Sequence, residues 1–143
     1  MRIVLQIVNE ASVEVEKKIV ANIQKGYLLL VGFFKDDTEI EVKKMAEKIS
    51  KLRVFPDENG KTNLSLNNVG GAILSVSQFT LCADLNGTNR PSFSDSAKRE
   101  DAIKLYDLFN DELIKYGFEV QTGVFGADMK VNLINDGPFT LVL

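Results

Sequence analysis

The segment Tyr27–Phe34 constrains the fold more than any other. It reads YLLLVGFF, an apolar run entered through Gly26. Such a run is too short for an ordinary helix and far too short to span a bilayer, so it reads as a strand buried on both faces. A strand of that kind needs a covering layer on each side, and the rest of the chain must supply both.

Two segments supply helices. Asp36-Asp37-Thr38 opens the first, and Glu41 follows Thr38 at capping-box spacing. Val42, Met45, Ala46, Ile49 and Leu52 then fall on one face, with Lys44, Lys48 and Lys51 opposite. The second helix is predicted from Arg99 to Tyr116, with Ala102, Leu105, Tyr106, Phe109 and Leu113 as its apolar face and Gly117 as its stop. Strand patterns occupy Arg2–Val8, Ala11–Glu16, Lys18–Ile23, Ala72–Gln78, Glu119–Thr122, Lys130–Ile134 and Phe139–Leu143. Pro56–Gly60, Asn67–Gly71 and Asn135–Pro138 carry turn chemistry, and Leu85–Pro91 reads as a loop. No repeat or linker divides residues 1–143, so one domain is expected. If the two helices cover one side of a sheet, strands must cover the other. The expected fold class is therefore α/β, a three-layer α/β/β arrangement with mixed, mostly antiparallel sheets.

Composition matters most for what it excludes. The chain has no histidine. That removes Ser-His-Asp and Cys-His catalysis, imidazole general bases and His-based metal motifs. The single cysteine, Cys82, rules out a Cys-rich zinc site and an internal disulfide. With no signal segment before the first strand pattern, the reading is a cytoplasmic protein with no metal and no cofactor. The net charge is −3 and the basic clusters Lys43–Arg53 and Lys98-Arg99 are interleaved with acids. These read as solvated helix faces. Contact with nucleic acid should be limited to one strand end, with no DNA duplex and no membrane as partner.

Four segments hold groups suited to chemistry. Ser77-Gln78-Phe79-Thr80-Leu81 follows a buried strand, where freed backbone N–H groups can stabilise an oxyanion; taken alone it is equally a strand end bonding its own turn. Asn135-Asp136-Gly137-Pro138 with Phe139-Thr140 offers a rigid turn and an X–Pro bond, the usual place for a cis peptide. Gln121–Met129 puts Phe125 between two glycines, and with Met129 it can either pack a flat base or plug the core. Arg90-Pro91-Ser92-Phe93-Ser94 brings one cation that can meet a phosphate or simply stay solvated.

In their order and separation these segments resemble the bacterial and eukaryotic type of D-aminoacyl-tRNA deacylase. The resemblance runs from Met1 to Leu143. It rests on Ala11-Ser12-Val13, Gly70-Gly71, Ser77–Leu81, Arg90–Phe93, Thr122-Gly123, Ala127-Asp128-Met129 and Asn135–Pro138 with Thr140. It implies a homodimeric hydrolase that cuts the ester between a D-amino acid, or glycine, and the 3′ end of tRNA. It further implies a catalytic segment of Gln78, Phe79 and Thr80, with the oxyanion held by the backbone N–H of Phe79 or Thr80. Ser77, Asn135, Gly137 and Pro138 would bind the substrate, the Gly137-Pro138 turn being cis and contributed in trans by the partner subunit. Phe125, Gly126, Ala127 and Met129 would hold the terminal adenosine. Protons would pass through the substrate's ribose 2′-hydroxyl and water. One departure stands out: the family's Gln-Arg-Val in the first strand is here Gln6-Ile7-Val8. The alternative function is a non-catalytic dimer that binds a tRNA end or a nucleotide.

Overall fold

The computed structural model describes residues 1–87 and 89–143; Thr88, inside the expected Leu85–Pro91 loop, lies outside them. Among the described residues, β1 is Arg2–Val15, β2 Lys18–Ile23, β3 Gly26–Gly32, β4 Arg53–Pro56, β5 Thr62–Ser65, β6 Ala72–Ser77, β7 Val120–Thr122 and β8 Lys130–Val142. The helices are α1, Glu39–Lys51, and α2, Arg99–Lys115, and a 3-10 turn spans Phe79–Cys82.

The Tyr27–Phe34 run becomes β3, and the demand it makes for two covers is met. Tyr27, Leu29 and Val31 join a core with Val42, Ala46 and Ile49 of α1 and Tyr106, Phe109 and Leu113 of α2. Leu28 faces the other way, into a second core of Val8, Ala11, Val13, Ala21, Ile23, Leu74 and Val76. The layers are therefore helices, sheet and strands, and the sheet is mixed. β1 pairs antiparallel with β2, β3 and β8, whereas β3–β6 and β6–β7 are parallel. β4 and β5 form a separate antiparallel pair.

The covering strands are not an independent sheet. Arg2–Val8 and Ala11–Glu16 were expected as two strands, but they form one, and its outer half curls over the sheet. The cause is visible in the register. Val8 lies opposite Asn135 and Glu10 opposite Ile134, so Asn9 is an extra residue on β1. One extra residue flips the parity of every side chain beyond it. Ile3, Leu5 and Ile7 face the helices, while Ala11 and Val13, also odd-numbered, face the second core beside Val8.

Asn135–Pro138 also differs from expectation. It does not reverse the chain, and Lys130–Ile134 and Phe139–Leu143 belong to one strand. Gln6 pairs with Thr140 and Val8 with Asn135, so the segment is a wide bulge in β8. The Asn135 side chain replaces the lost ladder: its Oδ1 accepts from the Phe139 N–H at 2.8 Å and its Nδ2 donates to Thr140 Oγ1 at 3.2 Å. Gln6 Nε2 also donates to Thr140 Oγ1, at 3.2 Å. The Gly137-Pro138 bond within the bulge is cis.

Both helices begin and end close to where their patterns place them. Gly117 follows α2 at φ +89°, a conformation a Cβ would resist. The α2 face includes Asn110, which is buried, whereas Ala102 and Leu105 are only half-buried. The α1 start is a full capping box: Thr38 Oγ1 accepts from the Glu41 N–H, and the Thr38 N–H donates to Glu41 Oε2 at 2.8 Å. That backbone donor, and then the Thr38 hydroxyl, hold the Glu41 carboxyl below its ordinary value against a small opposing effect of desolvation. A carboxyl depressed in the folded state adds stability above its unfolded pKa and loses it as pH falls through the folded one. Thr38→Ala removes the side-chain cap and should cost about 1 kcal/mol at neutral pH for that loss. In paired urea titrations, the gap between wild type and variant should shrink as pH drops below the glutamate range.

Candidate active site

The parallel pair β3–β6 places two carboxyl ends side by side, with Val31 opposite Ser77. Beyond that row β6 ends, and the Gln78 N–H still donates to the Val31 carbonyl at 2.7 Å. The chain then turns sharply through Phe79–Cys82. Leu81 N–H closes onto the Gln78 carbonyl at 3.2 Å and Ala83 N–H onto the Thr80 carbonyl at 3.1 Å. Gln78 Nε2 donates to Thr80 Oγ1. The turn lies hard against β3: a Cβ on Gly32 would sit 2.8 Å from the Gln78 carbonyl oxygen and 3.2 Å from Cys82 Sγ. Only glycine allows this approach.

The consequence is a pair of donors without acceptors. Among the described residues, no hydrogen bond uses the backbone N–H of Phe79 or Thr80, and no side chain caps the turn. They are the orphan groups any helical turn leaves at its start. The rest of the turn is anchored from outside. Arg2 Nη1 donates to the Leu81 carbonyl at 2.6 Å, its guanidinium 5.2 Å from the Phe34 ring centroid. Ser96 Oγ donates to the Phe79 carbonyl at 3.4 Å. The exposed Phe79 ring meets Phe93 edge-on at 5.0 Å.

A cleft of about 510 Å³ opens beside this turn. Ser77, Gln78 and Phe79 line it, together with Phe125, Gly126, Ala127 and Met129. The structure thus gathers two of the candidate segments at one place. Thr80 adjoins the cleft through Gln78 but does not line it. Phe125 is held by Tyr106, ring to ring at 5.8 Å, and Tyr106 in turn donates to the Ser75 carbonyl at 2.8 Å. Burial pushes the Tyr106 phenol upward, so it remains a neutral donor.

Asn135, Gly137 and Pro138 are elsewhere. None of them lines the cleft of its own chain. Val4–Gln6 pair with both β3 and β8, so these strands lie on opposite edges of β1. Ser77 and β8 are therefore three strand spacings apart, roughly 14 Å, with Thr140 about 10 Å further along the strand. The segments Ser77–Leu81 and Asn135–Thr140 do not meet within one chain.

Arg99 is a cleft residue that the sequence motifs did not mark, as is Gly32. Arg99 belongs to the start of α2, and its charge reads as part of a helix face until the Phe125 loop is seen to cross it. The basic cluster on α1 is solvated, with Lys43 and Lys51 turned to Glu39 and Glu47. No group of three or more His, Cys, Asp or Glu able to hold a metal occurs among the described residues. Nor is any described helix long and apolar enough to cross a membrane. Cys82 is buried under the turn, where desolvation pushes its thiol up. A buried neutral thiol is a poor nucleophile. Disulfide reagents at pH 8 should therefore label Cys82 only as fast as the chain unfolds, and labelling should become immediate in denaturant.

Known proteins align with this chain along its whole length. A D-aminoacyl-tRNA deacylase of Lactobacillus delbrueckii subsp. bulgaricus is 56% identical over 143 residues, covering 100% of this chain and 99% of its own. One from Listeria innocua is 56% identical, covering 100% and 95%. A solved structure named c-Myc DNA Unwinding Element Binding Protein is 38% identical with a TM-score of 0.94, covering 100% and 97%. A probable eukaryotic D-amino acid tRNA deacylase shares the fold at 17% identity, with a TM-score of 0.87 over 99% and 97% of the two chains. Residues 4–143 match the D-Tyr-tRNA(Tyr) deacylase family, to which this chain belongs.

Proposed function

We propose that the chain is a hydrolase that cleaves the ester between a D-amino acid, or glycine, and the 3′ end of tRNA, releasing both. The observation that carries this reading is the pair of backbone N–H groups at Phe79 and Thr80, unclaimed among the described residues, on a turn whose Phe79 lines a cleft with Phe125 and Met129 in its wall. When water attacks an ester carbonyl, negative charge builds on the oxygen. Fixed donors aimed at that position stabilise it without reorganising, an effect worth about 3 kcal/mol per donor. Gln78 positions the donors through its bonds to Val31, Leu81 and Thr80. The terminal adenosine fits against Phe125, Gly126, Ala127 and Met129. Water is the nucleophile, and its proton passes through the ribose 2′-hydroxyl to the departing 3′ oxygen. A chain without histidine needs some such route.

Chirality enters through a second copy of the chain. In this reading the Gly137-Pro138 bulge of the partner subunit enters the cleft beside Ser77. Its carbonyls take the substrate's amino group and leave no space for an L side chain, so discrimination is by exclusion. Two facts support a homodimer: the bulge cannot reach its own cleft, and β8 exposes Leu133, Ile134 and Val142. Asn135 shapes the bulge through Phe139 and Thr140. The acidic balance suits a partner touched only at its acceptor end, and a long DNA footprint would need a basic face this chain lacks.

Purified protein should release D-Tyr from charged tRNA and leave L-Tyr-tRNA intact. Equal release of both, or of neither, defeats the proposal; tight binding of the tRNA end without turnover would instead favour a binding dimer. Thr80 should not be a covalent nucleophile, because its hydroxyl accepts from Gln78 and, among the described residues, is hydrogen-bonded to no group able to act as a base. Thr80→Ala should keep most of its turnover, and loss of all activity in a folded, D-substrate-binding variant would reassign the nucleophile.

A further inference from the structure

Arg99 is a cation in the cleft wall that the proposed chemistry leaves without a task. Its guanidinium lies over the Phe125 ring, 5.6 Å from the centroid. The Phe125 loop is built around it: Gly126 has φ +75°, and a Cβ there would sit 2.5 Å from Arg99 Nη1 and 2.9 Å from Nη2. No described residue forms an ion pair with Arg99. Asp128, the carboxylate in the same cleft wall, turns to Lys130 at 3.0 Å. Glu100 and Asp101 share the first turn of α2, and neither engages Arg99. The guanidinium thus lies over an aromatic ring and against Gly126, and Arg99 as a residue is exposed beside the wall where the nucleoside would sit. An exposed guanidinium that is held in place by a ring and has no carboxylate partner suits a phosphate.

We infer that Arg99 binds the phosphate on the 5′ side of the terminal adenosine. The inference rests on the reading that this cleft holds that adenosine. The nucleoside's 3′ ester points to Phe79 and Thr80, and its 5′ side leaves the cleft past α2. Arg99 then grips the polynucleotide independently of the amino acid, and supplies locally the positive charge that a chain of net charge −3 lacks overall.

The test compares 2′(3′)-O-D-tyrosyl adenosine with the same ester carrying a 5′-phosphate, using wild type, Arg99→Ala and Arg99→Lys. Wild type should favour the phosphorylated ester in kcat/KM by about fivefold, the most that an exposed ion pair ordinarily contributes. In Arg99→Ala that ratio should fall to about one, and Arg99→Lys should restore part of it. The salt dependence of KM for D-Tyr-tRNA should become shallower by about one in logarithmic slope for Arg99→Ala. A wild type indifferent to the phosphate overturns the inference. So does an Arg99→Ala variant slowed equally on both esters, which would mean that Arg99 only props Phe125. Titration of the whole protein with adenosine and adenosine 5′-monophosphate by NMR gives a readout free of turnover. Tighter binding of the monophosphate in wild type, lost in Arg99→Ala, supports the phosphate contact even if neither ester is cleaved, in which case only the hydrolase reading falls. Equal binding of the two in wild type overturns it.

Discussion

Strand β1 is the member on which the other strands are hung. Its residues Val4–Gln6 give hydrogen bonds on both edges, to β3 and to β8. A strand paired on both edges and buried on its helix-side face has no freedom to slip, because a one-residue shift would turn Ile3, Leu5 and Ile7 out of that core. The single insertion at Asn9 is therefore a structural device. It redirects the outer half of the strand so that Ala11 and Val13 close the second core over Leu28, Leu74 and Val76. Without it, the polar even-numbered residues Ser12 and Glu14 would face that core.

The cleft inherits its rigidity from the same arrangement. β3 is fixed between β1 and β6, so its carboxyl end at Val31–Gly32 is a firm seat for the Gln78–Cys82 turn. Gly32 lets the turn sit directly on the backbone of β3, and Arg2, at the start of β1, holds the Leu81 carbonyl from the other side. Donors mounted this way cannot swing to find other partners. That is the condition under which main-chain N–H groups work in place of ionisable side chains.

Much of this was legible in the sequence, and the gaps share a cause. Local signals were sound: the apolar run of β3, the Thr38–Glu41 box and the 3.6-residue period of both helices all report on neighbours in the chain. What failed were signals that depend on a partner strand. Asn9-Glu10 reads as a gap between two strands and Asn135–Pro138 as a turn, because they are polar and break the alternation, yet both are bulges in strands whose direction is imposed from outside. β4 and β5 are four residues each, with shifted register, and leave no pattern to read. In the cleft, Ser77–Phe79 and Phe125–Met129 were marked by their residues and given roles by the family resemblance. Arg99 and Gly32 could not be, since their importance lies in which loop crosses them.

Ile7 shows how such a departure is absorbed. Where the family commonly has arginine, this chain buries an isoleucine opposite Tyr27, in the helix-side core that Phe139 also adjoins. The side chain at this position points toward an apolar layer, and a charged group there would need a partner that the surrounding Leu, Val and Phe side chains do not offer. The bulge does not depend on one. Gln6, the neighbour facing the other way, bonds Thr140, and Asn135 bonds both Phe139 and Thr140. Thr140 Oγ1 thus receives two amides, and the segment is clamped from both strands without a charge. The polar work at this bend is done by amides across the ladder, so position 7 is left to packing, and a β-branched apolar residue fills it at low cost.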